Sequence, residues 1–162
     1  MGVDSAGATL KTIPSVYFGP LEHDRSAEIY LPFGLPGFEE ESCLVAIEIP
    51  DQRPLVYLQS TSNPALCFLS LPTNSIESGW KLELSEEDRC SLMLDPEEEL
   101  VHGKNIMSLA ILFPVKGVLQ VNLCAPLVIG LRKMIGVQRL PATAADNRRL
   151  ELRDSGDWVE VC

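Results

Sequence analysis

The sequence predicts a mostly-β chain: a single-domain antiparallel β-barrel-like or sandwich fold with one or two short helical turns. Three observations predict this fold. The chain has 162 residues, a length that suits one domain. Its composition, 46% apolar and 22% charged, is typical of a folded protein. From Pro14 onward, prolines and glycines recur between short apolar runs, and that rhythm favours short strands over helices.

The N-terminal residues are mostly small or polar and contain no apolar stretch of signal-peptide length. We therefore expect a loose N-terminal segment at residues 1–14 and a single β domain at residues 15–162. No run approaches the roughly 20 apolar residues that a membrane-spanning helix requires. We expect a cytoplasmic protein that makes no membrane contact.

Alternation of apolar and polar residues with a period of two predicts strands that bury one face. It occurs at residues 80–84 and again at residues 119–123. A third alternating run, residues 150–152, is followed by the turn sequence Asp-Ser-Gly-Asp and by a further strand-like run. This order predicts a C-terminal hairpin at about residues 148–161.

Other runs are largely apolar on both faces, which is typical of central strands covered on both sides. These runs are residues 43–49, 55–58, 106–113 and 127–129. A short helix is the open alternative for residues 106–113, where the flanking Gly103 and Pro114 favour a strand.

One helix start is well marked. Ser85 lies three residues before Asp88, close to the capping-box pattern, and Glu86 and Glu87 supply the negative charge that stabilises a first turn. The sequence therefore predicts a short helix that begins after Ser85.

The charge balance indicates a class of partner. Lys and Arg number 13 against 23 Asp and Glu, which gives a net charge of −10. Such a chain gains no counterion-release affinity for a phosphate backbone, so we expect no direct nucleic-acid binding and a partner with a basic surface. The acidic side chains form clusters that are usually solvated surface. Among them, Glu86, Glu87 and Glu98 are candidate contacts for a basic partner.

Neither the cysteines nor the histidines predict a metal site or a cofactor. The cysteines are five in number, widely spaced and without a C-x-x-C pair: Cys43, Cys67, Cys90, Cys124 and Cys162. This pattern predicts free, reduced thiols. His23 and His102 lie in polar contexts outside metal-ligand spacing, so we expect solvated side chains. No P-loop or nucleophile elbow is present, and we expect no enzymatic activity.

Residues 32–38, Pro-Phe-Gly-Leu-Pro-Gly-Phe, predict a rigid and tightly turned loop with apolar side chains. Its two prolines argue against the helix that a dinucleotide-binding loop requires. Two interpretations stay open. Either Leu35 and Phe38 plug the end of the β core, or the loop is an exposed apolar binding surface.

Asn122 and Pro126 form a second candidate contact. Asn122 lies on the polar face of the strand at residues 119–123, and Pro126 has no N–H to donate, so the ladder must break or lie at an edge there. A partner can approach backbone groups at such a place. The alternative is structural: Asn122 bonds a nearby loop and Pro126 only bends the chain.

Several stretches, in order, resemble the signatures of one family, the flagellar assembly factor FliW. They are IYLPFGLPGFE at residues 29–39, YLQSTSNPALCF at 57–68, LELSEED at 82–88, VNLCAPLVI at 121–129 and GVQ at 136–138. The resemblance covers about residues 29–138 and leaves the terminal hairpin outside. The chain departs from the pattern at Leu31, Pro36 and Gly130, where Phe, Leu and Asn are usual.

The resemblance implies a small cytoplasmic β-barrel-like protein of bacterial flagellum biogenesis that acts by binding other proteins. It implies a chaperone for newly made flagellin that, once free, antagonises the translational repressor CsrA, the carbon storage regulator. Flagellin synthesis would thereby be coupled to export. The candidate partner-binding residues within the signatures are Gly34, Leu35, Phe38, Gln59, Asn122 and Pro126.

Two other classes of function stay open. A small-ligand-binding β-barrel carrier would hold its ligand in a pocket lined by Trp80, Phe68 or Phe113. A hydrolase would use a hydroxyl of residues 60–62 with a carboxylate and a nearby histidine or lysine.

Overall fold

A computed structural model of the chain describes residues 2–3, 9–140 and 147–161. These residues form fourteen strands, two short α-helices and two 3-10 turns. The strands are β1 (Gly2–Val3), β2 (Thr9–Ile13), β3 (Leu21–Asp24), β4 (Glu28–Tyr30), β5 (Cys43–Ile47), β6 (Val56–Ser60), β7 (Cys67–Pro72), β8 (Ile106–Ile111), β9 (Phe113–Val115), β10 (Val118–Asn122), β11 (Leu127–Gly130), β12 (Ile135–Gln138), β13 (Arg149–Leu152) and β14 (Trp158–Val161). The helices are α1 (Thr73–Ile76) and α2 (Glu86–Ser91). No helix in these ranges has the length and hydropathy needed to cross a membrane.

Seven strands close into a barrel in the order β11-β12-β4-β5-β6-β7-β8, and β8 pairs back onto β11. Neighbouring barrel strands are antiparallel except β4 and β12, which run parallel with Tyr30 opposite Ile135. The predicted mostly-β fold class is confirmed, and its architecture is that of a closed barrel.

The barrel interior is a packed apolar core. Its buried side chains are Ile29, Leu31, Leu35, Leu44, Val56, Leu58, Leu109, Leu127 and Ile129. A carrier would need a cavity among these residues. This packing therefore counts against the interpretation of the chain as a β-barrel carrier with an internal ligand.

A second sheet, in the order β14-β13-β10-β9, shares an apolar core with the outer faces of β7 and β8. The alternating run at residues 119–123 supplies β10, whose Val121 is fully buried. The hairpin expected at about residues 148–161 is formed by β13 and β14, and β13 pairs with β10. Because this sheet covers it, β8 is buried on both faces, as the apolar run at residues 106–113 predicts, and the same sheet covers the outer face of β7.

The helix α2 begins where the sequence predicts. The Ser85 hydroxyl accepts the backbone N–H of Asp88 at 3.0 Å. After the helix, Leu92 and Leu94 pack onto β8 and β11. A Cβ atom at Gly130 would lie 2.8 Å from the carbonyl oxygen of Leu92, so the close approach of this segment to β11 requires a glycine.

Two strand predictions were wrong. Residues 9–13, expected to be loose, form β2 and pair antiparallel with β3, while residues 1 and 4–8 lie outside the described ranges. Residues 80–84, expected to be a strand, have no strand pairing, although Leu82 and Leu84 do pack inward beside α2. In both places, a strand forms only if another strand offers an unpaired edge to it. The local sequence pattern does not reveal whether such an edge exists.

The prediction of solvated histidines was also wrong. His23 on β3 is 8% exposed, and its Nε2 lies 2.9 Å from Glu28 Oε1, which also accepts a bond from Lys11 Nζ at 3.3 Å. Burial tends to raise the pKa of Glu28, but the bonds from His23 and Lys11 outweigh it and hold that pKa below its ordinary value. This cluster ties the outer sheet of β2 and β3 to the barrel strand β4.

Candidate functional site

The glycine-rich loop that follows β4 is folded back on itself. Leu35 and Phe38 exchange backbone hydrogen bonds, with N···O distances of 3.2 and 2.6 Å, and Gly34 N–H donates to Leu31 at 3.2 Å. Leu35 is 2% exposed and belongs to the barrel core, whereas Phe33 and Phe38 are 66% and 42% exposed. Each open interpretation therefore describes one side of the loop: Leu35 plugs the barrel and the phenylalanines face outward.

Phe38 forms a wall of a groove of about 260 Å³, here called the Phe38 groove. Its main lining residues are Pro36, Phe38, Phe68, Phe113, Asn122 and Gln138. The rings of Phe38 and Phe68 meet edge to face with centroids 5.1 Å apart. The groove is mostly apolar, and its two polar lining residues, Asn122 and Gln138, make hydrogen bonds within the fold.

The structure brings together three of the candidate residues, Leu35, Phe38 and Asn122, around this groove. Gln138 and Phe68 complete it from different strands, and the GVQ and YLQSTSNPALCF signatures were the signals that pointed to them. The site therefore draws on most of the signature stretches, although they are far apart in the chain.

Some of the candidates are wrong as direct contacts. Gln59 is fully buried and Pro126 is buried at the start of β11, so neither offers side-chain surface to a partner. Gly34 and Leu35 are buried beneath the glycine-rich loop. These residues shape the site from within the fold, because the barrel closes over them.

Asn122 adopts the structural role that the sequence left open. Its Oδ1 accepts the backbone N–H of Cys124 at 3.0 Å, and its Nδ2 donates to Asn147 Oδ1 at 2.8 Å. These bonds fix the turn after β10, which forms one side of the Phe38 groove. Asn122 is half-buried, so most of its hydrogen-bonding capacity is spent inside the protein.

Replacement of Asn122 by alanine should therefore lower the free energy of unfolding by about 1–3 kcal/mol, because its partners at Cys124, Asn147 and Arg148 lose an acceptor or a donor. Urea denaturation measures this change. Gln120→Ala is the matched control, since Gln120 shares the polar face of β10 and should cost under about 0.5 kcal/mol. Equal effects of the two variants would remove the proposed role of the Asn122 bonds.

A second surface is the acidic region, residues 83–99, which carries eight acidic side chains and one arginine. Glu86 and Glu87 are exposed in the first turn of α2. Glu98 is tied to the fold: its carboxylate lies 2.9 Å from Arg132 Nη2, and its carbonyl accepts a bond from Arg89 at 3.0 Å. Of the three candidate carboxylates, Glu98 is thus held by the fold, whereas Glu86 and Glu87 are exposed at the surface.

The serine hydroxyls of residues 60–62 make hydrogen bonds that stabilise a turn, and none is arranged as a nucleophile. Ser60 Oγ donates to Glu41 Oε2 at 2.5 Å and accepts the backbone N–H of Asn63 at 2.9 Å. Glu41 also accepts a bond from Ser62 Oγ at 3.3 Å. The Ser60 hydroxyl is therefore engaged in hydrogen bonds that hold the loop. The hydrolase interpretation would require this hydroxyl to be free to attack a substrate.

The described cysteines, Cys43, Cys67, Cys90 and Cys124, are free thiols, and Cys162 lies outside the described residues. Burial raises the pKa of the Cys43 and Cys67 thiols. A raised pKa lowers the thiolate fraction, so both side chains behave as apolar packing groups. Within the described ranges, no group of three His, Cys, Asp or Glu side chains is arranged to hold a metal ion.

Comparison with known proteins assigns the family. The model of the FliW protein family matches residues 12–152, which extends the resemblance beyond residues 29–138 and includes β13. Flagellar assembly factor FliW of Oceanobacillus iheyensis is 33% identical over 126 residues, 78% of this chain and 83% of that protein. FliW of Syntrophomonas wolfei is 30% identical over 140 residues, 83% of each chain. The crystal structure of a flagellar assembly factor FliW superposes with a TM-score of 0.70 at 27% identity and covers 83% of this chain and 91% of that one. The chain belongs to the FliW family of flagellar assembly factors.

Proposed function

We propose that this chain binds newly made flagellin as a cytoplasmic chaperone and, when free of flagellin, antagonises the translational repressor CsrA. It acts by binding and not by catalysis, and so couples flagellin synthesis to export. Membership of the FliW family supports the proposal. The observation that carries it is a pair of chemically different surfaces that share no residues, the apolar Phe38 groove and the acidic region.

The Phe38 groove is the proposed seat for flagellin. A subunit that is destined for a filament carries apolar surface that becomes buried only on assembly, and a chaperone must cover that surface beforehand. The groove offers an apolar recess of about 260 Å³ with the exposed ring of Phe38 at its wall. An exposed aromatic beside a recess is the usual form of an interaction hot spot.

The acidic region is the proposed surface for CsrA. A protein that binds RNA must present positive charge to phosphates, and a partner of net charge −10 is its electrostatic complement. Eight of the acidic side chains lie between residues 83 and 99, with Glu86 and Glu87 exposed. Such a cluster attracts a basic partner over distances set by the Debye length, roughly 8 Å at physiological ionic strength.

The flagellin arm of the test uses purified chain and monomeric flagellin in a biosensor measurement. Phe38→Ser should raise the Kd for flagellin about tenfold or more, because truncation of an aromatic side chain that becomes buried at the centre of an interface typically costs that much affinity. Tyr30→Ser is the control, since Tyr30 is 54% exposed and does not line the groove. Thermal unfolding of both variants separates loss of binding from loss of fold.

The CsrA arm measures association rates. Association with CsrA should slow several-fold between low and high salt, whereas dissociation should change less. The double variant Glu86→Lys/Glu87→Lys should show a slower and less salt-dependent association. Glu48→Lys/Asp51→Lys makes the same charge change at exposed positions outside the acidic region and should have a smaller effect. If neither flagellin nor CsrA binds the chain, the proposed function is wrong.

A further inference from the structure

A cleft on the outer side of the barrel adjoins the acidic region but does not include Glu86 or Glu87, the carboxylates that the proposed function uses. It has a volume of about 450 Å³ and lies between α1, the segment at residues 80–82, the loop before β8 and the outer face of β8. None of its lining residues belongs to the Phe38 groove. The volume is within the range of small-molecule binding sites, roughly 300–1,000 Å³. We call it the Trp80 cleft, after the indole that lines it.

A buried hydroxyl without a partner marks this cleft. Ser108 lines it and is 1% exposed, yet its Oγ has no hydrogen-bond partner. Leaving a buried polar atom unpaired destabilises a fold, so such atoms are uncommon and call for an explanation. Ser70, on the neighbouring strand β7, is equally buried and donates to the carbonyl of Val56 at 2.8 Å.

Two neighbouring groups prepare the cleft to donate hydrogen bonds. His102 Nε2 accepts the backbone N–H of Ser108 at 3.1 Å, so a neutral ring carries its proton on Nδ1, as a donor. Arg89 donates through Nη1 to the carbonyls of Asp95 and Glu98, at 3.1 and 3.0 Å, and these bonds hold the guanidinium in place.

The charges around the cleft favour an anion. Two cations, Lys81 and Arg89, line it against one carboxylate, Glu99, and His102 adds a neutral N–H donor. This balance contrasts with the net charge of −10 of the whole chain. Fixed guanidinium and hydroxyl donors are suited to a carboxylate or a similar anionic head.

The remaining wall is apolar. Trp80 is half-buried in the core beneath the second sheet, and Leu82 and Ile106 lie near it along the cleft. An indole held on one side presents a flat face on which a planar apolar group can stack. We propose that the Trp80 cleft binds a small organic anion, with its anionic head at Ser108 and the basic side chains and a flat apolar body against Trp80.

The test uses three probes of matched size: indoleacetate, indoleacetamide and tryptamine. Binding is followed in NMR titrations through the Trp80 indole N–H and the Ser108 amide. Indoleacetate should shift both resonances saturably, and the neutral and cationic probes should bind at least about tenfold more weakly. Equal affinity for the three probes, or no saturable shift at the cleft with indoleacetate, overturns the proposal.

Two pairs of variants separate the site from general effects. Lys81→Glu should weaken indoleacetate binding about fivefold or more, whereas Lys133→Glu makes the same charge change at an exposed position outside the cleft and should leave it unaltered. Ser108→Ala should weaken binding without lowering the melting temperature, since its hydroxyl has no partner to lose. Ser70→Ala should do the reverse. Unchanged binding in Lys81→Glu and Ser108→Ala contradicts the site, whether or not flagellin and CsrA bind.

Discussion

Gly34→Ala should lower the free energy of unfolding by about 2–5 kcal/mol, the combined cost of a left-handed backbone in a residue with a side chain and of a steric overlap. Gly34 has φ = 63°, and a Cβ atom there would lie 2.6 Å from the Cα and the carbonyl oxygen of Glu39. The obstructing atoms are backbone atoms of the same tight loop, so they cannot move away as the end of a flexible side chain can. We expect the loop to open and Leu35 to leave the barrel core.

Gly37→Ala is the matched control for this effect. Gly37 lies in the same loop with φ = 84°, but a Cβ atom there would meet nothing within 4 Å. It should cost only the backbone term, about 1–2 kcal/mol. The difference between the two variants in urea denaturation measures the overlap with Glu39. Equal losses of stability would show that a small movement of the loop relieves the overlap. The interpretation of the loop as rigid would then be wrong.

The local pattern predicted strands well where the segment finds a partner on each side. Residues 43–47 and 127–130 are such strands, and both are central in the barrel. The choice between barrel and sandwich was not accessible, since closure depends on the pairing of β8 with β11 and of β4 with β12. In each pair other strands lie between the two segments along the chain, and the alternation of residues says nothing about which edges meet.

The resemblance predicted the family but not which side chains are accessible. Phe38 and Leu35 are close neighbours in one signature, yet one is 42% and the other 2% exposed. The difference arises because the barrel mouth accepts only one side of the loop. Buried polar residues such as His23 and Gln59 were read as surface for a similar reason, because the groups that bond them lie elsewhere in the sequence.

Gln59 is the strongest case of a buried polar residue among the candidate partner contacts. Its Oε1 accepts a bond from Ser15 Oγ at 2.8 Å. Its Nε2 lies 3.1 Å from the carbonyls of Ser60 and Leu66 and within 3.4 Å of two more carbonyls in the same turn. One side chain therefore fastens the turn between β6 and β7 and the loop around Ser15 to the end of the barrel.

Gln59→Leu should accordingly lower the free energy of unfolding by about 2–3 kcal/mol, since it keeps the volume, leaves the buried Ser15 hydroxyl without its acceptor and removes the amide that joins the carbonyls of the turn. Urea denaturation gives the loss, and faster amide exchange in residues 60–66 would locate it. Gln138→Leu is the control, because its Nε2 makes one bond, to the carbonyl of Ala125 at 3.0 Å, and should cost about 1 kcal/mol. If Gln59→Leu is as mild as Gln138→Leu while flagellin or CsrA binding is lost, Gln59 contacts a partner after all and the structural assignment is wrong.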